Sequence, residues 1–363
     1  MRTLAALLFL ATLGFARQDD GFAPLFNGKD LTGWVNVNGA PETWTVRDGM
    51  IVTTGHPMGV LRSGKMYENF IVELEWSHMN EGGNSGFFIH SGALPIRGNC
   101  FTKAFEIQIM LGDDPKGMWT RHGDVFSIQG ASFVPDRPHP QGWQRCLPSE
   151  KRVKGAGEWN HYRVTSKDGT IKLEVNGKEV SGGSQCKPRK GYLCLESEGA
   201  ECHFRNLKIK ELPSSNPAAD EIAEADQGFK NLYFGDHRGW KASSQEGWKT
   251  KDWILSANGG QLVSEKEFED FELVIDWRAT SKENPGKLIL YPRNSIDVDL
   301  KPPTKAGEWV RTVLRVEGRT FKIKREGETE REGSIPPSAV RGAINLSFNG
   351  AMEFANIYIK ELH

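Results

Sequence analysis

Four landmarks of this chain occur twice, in the same order, and they constrain its fold more than any other feature. GFAPLFNGKDLTGW, ending at Trp34, returns as GFKNLYFGDHRGW, ending at Trp240. KMYENFIVELEW (65–76) returns as KEFEDFELVIDW (266–277), 201 residues on. AGEW (156–159) returns at 306–309, and FRNLKIKEL (204–212) returns as FANIYIKEL (354–362), both 150 residues on. The offset shrinks by 51 between these pairs, so the first copy carries about fifty residues that the second lacks. The reading is a first unit over 21–212, a linker over 213–226 and a shorter, degenerate second unit over 227–363. The linker PSSNPAADEIAEAD is rich in Pro, Ser, Ala and acid and has no strand pattern.

Both copies read as strands. In FIVELEW, Phe70, Val72, Leu74 and Trp76 share one face and Glu73 and Glu75 the other, the period of two that marks a half-buried strand. Residues 161–180 are two alternating runs around Asp168-Gly169, a hairpin dipeptide, with a further turn at Asn176-Gly177. Short strands separated by turn signals indicate a β-sandwich, whose curved sheet offers a concave face to an extended ligand. The 40 Gly and 18 Pro agree with many turns. The eleven Trp suit either core filling or stacking on sugars.

The 46 Lys and Arg nearly cancel the 47 Asp and Glu, which argues against a nucleic-acid protein. MRTLAALLFLATLGFA (1–16) has the early Arg, apolar run and small residues of a secretory signal, with cleavage expected near Ala16. That run is too short to span a bilayer, and nothing later is long and apolar enough to do so. The chain is therefore expected to be secreted or periplasmic. Of its five Cys, Cys100 and Cys146 bracket the long insertion as a candidate staple, although spacing fixes no pairing.

The unusual chemistry sits in the first copy. NSGFFIH puts Asn84, Gly86, Phe88 and His90 on one strand parity, and FEIQIM puts Glu106 and Gln108 on a common face opposite Phe105, Ile107 and Ile109. A carboxylate and an amide two residues apart in an apolar strand must meet water, a ligand or each other, because unpaired burial is costly. MWTRHGDVFSIQGA (118–131) adds Trp119, Arg121, His122 and Asp124, and His139 follows. His90, Glu106, His122 and Asp124 are the candidate ligands for a divalent metal, although no H-x-x-x-H spacing supports the set. Glu73 and Glu75 imitate a glycosidase pair but read as a solvated face. No serine triad, P-loop or dinucleotide fingerprint occurs. The second copy has NPGKLILYPRNSIDVDL (284–300) in place of NSGFFIH and FEIQIM, and it lacks the His122/Asp124 loop.

LFNGKDLTGW, W-x-V-x-D-G (44–49), Y-x-x-F (67–70), NSGFFIH, FEIQI, GEWN (157–160), VNGKEV (175–180) and FRNLKIK (204–210) together resemble the 3-keto-disaccharide hydrolase domain family, in order, from about Gly21 to Leu212. The resemblance implies an all-β chain of two concanavalin-A-like (lectin/glucanase) β-sandwich, or jelly-roll, domains in tandem. It also implies cleavage of 3-keto-glycosides or 3-keto-disaccharides by enolate-forming elimination and hydration. Such a site needs a base, an acid and a group to stabilise the enolate. Glu106, His90 and His122 are the expected catalytic residues. Asn84, Gln108, Trp119 and Arg121 are expected to hold the oligosaccharide or glycoside substrate. The competing readings are a carbohydrate-binding module without catalysis and a cell-surface structural protein.

Overall fold

The structure, a computed structural model, describes residues 21–112, 122–242, 247–281, 286–290, 296–299, 306–337 and 340–362. The expected signal segment lies outside these residues. Among the described residues no helix is long and apolar enough to cross a membrane.

The first half is a sandwich of two antiparallel sheets. One has nine strands, in the order Ser132–Pro135, Lys178–Lys187, Thr170–Val175, Asn160–Lys167, Phe70–His78, Cys202–Glu211, Met50–Thr53 and Trp44–Arg47, with Ala23–Pro24 pairing on Cys202–Glu211. The other has seven, in the order Arg145–Cys146, Val125–Ile128, Ala104–Met110, Asn84–Ser91, Tyr192–Ser197, Gly59–Ser63 and Trp34–Asn36. Alternation decides which side chains enter the core. Phe70, Val72, Leu74 and Trp76 pack against Phe87, Ile89, Phe105, Ile107, Ile109, Leu193 and Leu195 between the sheets. Each such side chain contributes about 1.5–3 kcal/mol when fully buried. The hairpin signals are realised: Asp168 and Gly169 both take left-handed backbone, as do Asn176 and Gly177.

The second half builds one eleven-stranded antiparallel sheet from its described residues. Ile254–Phe268 spans the positions of Met50–Thr53 and Gly59–Ser63, and Gly342–Glu361 spans those of Tyr192–Ser197 and Cys202–Glu211. Register shifts between Asn258 and Gly260 and between Val263 and Glu267 increase the local twist, so one sheet curls around a separate core containing Trp240, Trp248 and Trp277. Contacts recur at the repeat offsets. Trp34 Nε1 donates to the Leu25 carbonyl at 3.0 Å and Trp240 Nε1 to that of Leu232 at 2.7 Å. Lys65–Glu211 and Lys266–Glu361 each close at 2.6 Å.

The connecting segment is not slack. Glu221 meets Arg189 at 2.9 Å, Asp226 meets the buried Arg62 at 2.8 Å, and the Ala223 N–H donates to the Lys190 carbonyl at 2.8 Å. A Pro- and Ser-rich composition reads as linker, but here its acids strap it to the first half. All five Cys are buried free thiols, so Cys100 and Cys146 form no staple.

Candidate functional site

Phe105, Ile107 and Ile109 face the core, so Glu106 and Gln108 must face outward from the seven-stranded sheet. Pairing then assembles their neighbours. Glu106 lies opposite Phe88 and Gln108 opposite Gly86 on one side, while Cys194 lies opposite Phe88 on the other. Glu196, two residues past Cys194, therefore comes beside Gly86. A Cβ at Gly86 would lie 2.7 Å from Glu196 Oε2 and 3.0 Å from both Glu106 Cγ and the Phe88 ring. Only glycine leaves room for two carboxyl groups to converge on this strand.

Glu198 completes a trio. Its carboxylate accepts a short hydrogen bond from Asn84 Nδ2 and pairs with the carboxyl of Glu196. Burial, then the charge of Glu198, push Glu106 well above the usual carboxylate range, with Arg145 opposing. Burial, then Glu198 and Glu106, do the same to Glu196. Glu198 is raised to about 7, again mainly by burial, against the hydrogen bonds from Glu196 and Asn84. The trio thus holds two carboxyls raised well above the usual range and one, Glu198, poised near neutrality. Such divergence among neighbouring acids suits acid–base chemistry. Glu196 Oε2 is buried and finds no hydrogen-bond partner among the described residues, over the bare backbone of Gly86.

The flank is built from the first-copy insertion. Asp124 is fully buried and meets Arg145 Nε at 3.2 Å, and the Arg145 guanidinium lies 4.4 Å over the Phe126 ring. The Asp124 carbonyl accepts from the Gln108 N–H at 3.0 Å, and the Gln108 carbonyl accepts from Tyr162 Oη at 2.7 Å. His122 is buried two residues before Asp124. His139 stacks on Trp143 with ring centroids 4.3 Å apart. Trp119 and Arg121 lie outside the described residues.

His90 is placed elsewhere. Its left-handed backbone, at φ +52°, breaks the alternation, so it does not share the parity of Gly86 and Phe88. Its ring packs edge-on against Phe70 and Phe105 in the core, and its Nε2 lies 3.1 Å from the Glu68 carbonyl. Burial lowers its pKa to about 4, leaving it neutral. The expected metal set of His90, Glu106, His122 and Asp124 is therefore not brought together. Among the described residues no group of three or more His, Cys, Asp or Glu side chains is arranged to hold a metal ion.

The structure adds Glu196 and Glu198, which the sequence reading passed over. Their signal was LCLESE, where Leu193 and Leu195 alternate with Cys194, Glu196 and Glu198 as plainly as in FEIQI. Glu73 and Glu75, on the outer face of the other sheet, are matched by cations: Arg163 and Lys208 on Glu73, Arg205 on Glu75. In the second half, pairing puts Lys287 opposite Ser347, at the positions of Gly86 and Glu196. The bare glycine and one carboxyl are thus both replaced there.

Residues 21–210 match the model of the 3-keto-alpha-glucoside-1,2-lyase-like domain. A 3-keto-disaccharide hydrolase of Bacteroides thetaiotaomicron is 24% identical over 242 residues, covering 53% of this chain and 79% of that protein. Among solved structures, a protein of Parabacteroides distasonis is 27% identical at a TM-score of 0.41, covering 53% of this chain and 94% of that one. The β-glucanase of Bacillus licheniformis is 15% identical at a TM-score of 0.33, covering 53% and 97%.

Proposed function

The chain belongs to the 3-keto-alpha-glucoside-1,2-lyase-like domain family through residues 21–210, and from that premise we propose that its first sandwich cleaves glycosides whose sugar is already oxidised at C3. The observation that carries this reading is the carboxyl trio converging over Gly86, with Glu198 near neutrality and Glu106 and Glu196 held well above the usual carboxylate range by burial and by their neighbours.

A ketone at C3 acidifies the proton on C2. Glu198, ionised at its upper range, takes that proton, and the electron pair becomes an enolate spread over C2, C3 and the ketone oxygen. Glu196 gives its one proton to a hydrogen bond with Glu198 while that carboxylate is ionised. Once Glu198 holds the C2 proton, the Glu196 O–H is released and donates to the enolate oxygen, a role a neutral carboxyl in an apolar site can fill. The enolate re-forms the ketone, the C1–oxygen bond breaks, and Glu106 supplies the proton that the leaving oxygen needs. Water then adds across the enone, its oxygen to C1 and a proton to C2, so the sum is hydrolysis. Asn84 holds Glu198, and Gln108 lines the same face. The substrate is thus a glycoside or oligosaccharide, met outside the cell if Met1–Ala16 acts as a signal.

The test uses a 4-nitrophenyl 3-keto-glucoside in D2O. Release of nitrophenol with one solvent deuterium at C2 of the sugar is expected. Release without deuterium would replace elimination by direct displacement at C1. Binding without release would make the domain a carbohydrate-binding module.

A further inference from the structure

Among its described residues the second half has no counterpart of the full carboxyl trio, yet it grips the loop that walls the active face. Pro95–Asn99 form a tight turn: the Asn99 N–H donates to the Ile96 carbonyl at 3.2 Å and the Ile96 N–H to that of Phe101 at 3.1 Å. The outer edge of the turn belongs to the second half. The Gly98 N–H donates to Asp276 Oδ2 at 2.9 Å, and Arg311 Nη2 donates to the Pro95 carbonyl at 3.0 Å. Asn356 Nδ2 shares its two protons among the Ile96 carbonyl at 3.1 Å, the Asn99 carbonyl at 2.9 Å and Asp276 Oδ2 at 2.7 Å. Asp276 is fully buried and held by Arg311 Nε at 2.7 Å. Gly98, at φ +65°, sits so close to Trp309 that a Cβ would fall 2.2 Å from the ring.

The inner edge belongs to the active face. The Cys100 carbonyl accepts from Asn38 Nδ2 at 2.8 Å. Phe101 meets Phe88 edge-on, with ring centroids 5.8 Å apart, and Phe88 lies beside Glu106 and Glu196 over Gly86. The first half shows what such a surface looks like without a guest. At the repeat offsets, Glu75 and Asn206 stand where Asp276 and Asn356 stand, Asn206 also has left-handed backbone, and its Nδ2 bonds Glu75 at 3.0 Å. Asn206 is exposed, whereas Asn356 is 6% exposed under the turn. His161 becomes Arg311, which reaches the extra carbonyl. A carboxylate taken fully out of water needs its hydrogen bonds, and one of those for Asp276 comes from the first half.

We propose that Asp276, Arg311, Asn356 and Trp309 are positioning residues, clamping the Pro95–Asn99 turn so that Phe101 and Phe88 fix the apolar wall beside Glu106 and Glu196. The second half is then a buttress of the active site. The inference rests on the proposed cleavage of 3-keto-glycosides, and its test separates the two.

Full-length Gly98→Ala and Asn356→Ala, and the double variant, are assayed with the 4-nitrophenyl 3-keto-glucoside and by amide hydrogen exchange. Each single variant should lower kcat about tenfold with little change in KM, because a shifted wall misplaces the reacting groups. The double variant should be no worse than the worse single one, since both release the same turn. Exchange should rise over residues 96–101 and stay low in Phe271–Ala279, showing that the second half remains folded. Full turnover with a freed turn, additive losses, or a turn still protected in both variants would each overturn the clamp. Should the wild type release no nitrophenol, the cleavage reading fails. The clamp is then judged by NMR titration of Glu198: a midpoint falling from about 7 toward 4.5 in the variants, as water enters, supports it, and an unmoved midpoint overturns it.

Discussion

Glu106 and Glu196 converge on one point above Gly86, with Glu196 Oε2 2.7 Å and Glu106 Cγ 3.0 Å from where a side chain there would begin. They come from different strands, Ala104–Met110 and Tyr192–Ser197, on either side of Asn84–Ser91. The bare strand between them is what allows two acids to share a buried space; burial first, and then the charge of Glu198, raises both.

Gly86→Ala therefore tests the site with a single methyl group. It should cost about 1–3 kcal/mol, the range for overpacking, and displace at least one carboxyl. A displacement of about 1 Å can lower turnover ~10²-fold. Turnover at the wild-type level in Gly86→Ala, measured where the variant is folded, would show that the two carboxyls do not act together.

Glu198 should set the acid limb of the pH–rate profile. As the base it must be ionised, so kcat/KM should rise with pH and level off near its pKa of about 7. Glu106 must stay protonated, so the rate should fall again at higher pH. Glu198→Gln should lower kcat by roughly 10²–10⁴-fold and remove the acid limb from what activity remains. An unchanged acid limb in that variant would assign the base to another group.

The same carboxyl links stability to pH. Its pKa is raised from 4.5 unfolded to about 7 folded, so the folded state holds the proton more tightly. This contribution is complete below pH 4.5 and is lost as pH rises through 7. At 1.36 kcal/mol per pKa unit the loss amounts to roughly 3 kcal/mol. Urea unfolding of Glu198→Gln should show the variant gaining stability relative to wild type between pH 4.5 and 8. Parallel curves for the two proteins would mean that Glu198 titrates normally.

His90 should matter to the fold and not to the reaction. His90→Ala removes a ring packed between Phe70 and Phe105 and should cost roughly 2–4 kcal/mol by cavity formation. Turnover per folded molecule should stay near normal. A loss of ~10²-fold or more at low temperature, the scale of a missing acid or base, would return His90 to the active site.

The strand alternation of FIVELEW and FEIQIM was legible because apolar side chains must leave water on one face of a sheet, and a period of two states that face directly. It sent Glu106 and Gln108 outward and Phe105, Ile107 and Ile109 inward. The same rule misplaced His90, because one left-handed residue reverses parity and no composition signal announces it. Glu196 and Glu198 went unnoticed because their distance from Glu106 along the chain conceals their nearness in the sheet.

By itself, then, the sequence determined the all-β class, the repeated landmarks and the outward placement of Glu106 and Gln108, since all three follow from local alternation, turn residues and order along the chain. The tertiary structure alone decided which acids meet over Gly86, that His90 belongs to the core, and that the second half grips the Pro95–Asn99 turn. Those outcomes depend on register between distant strands and on burial, which shifts a carboxyl's pKa only once other parts of the chain have displaced its water.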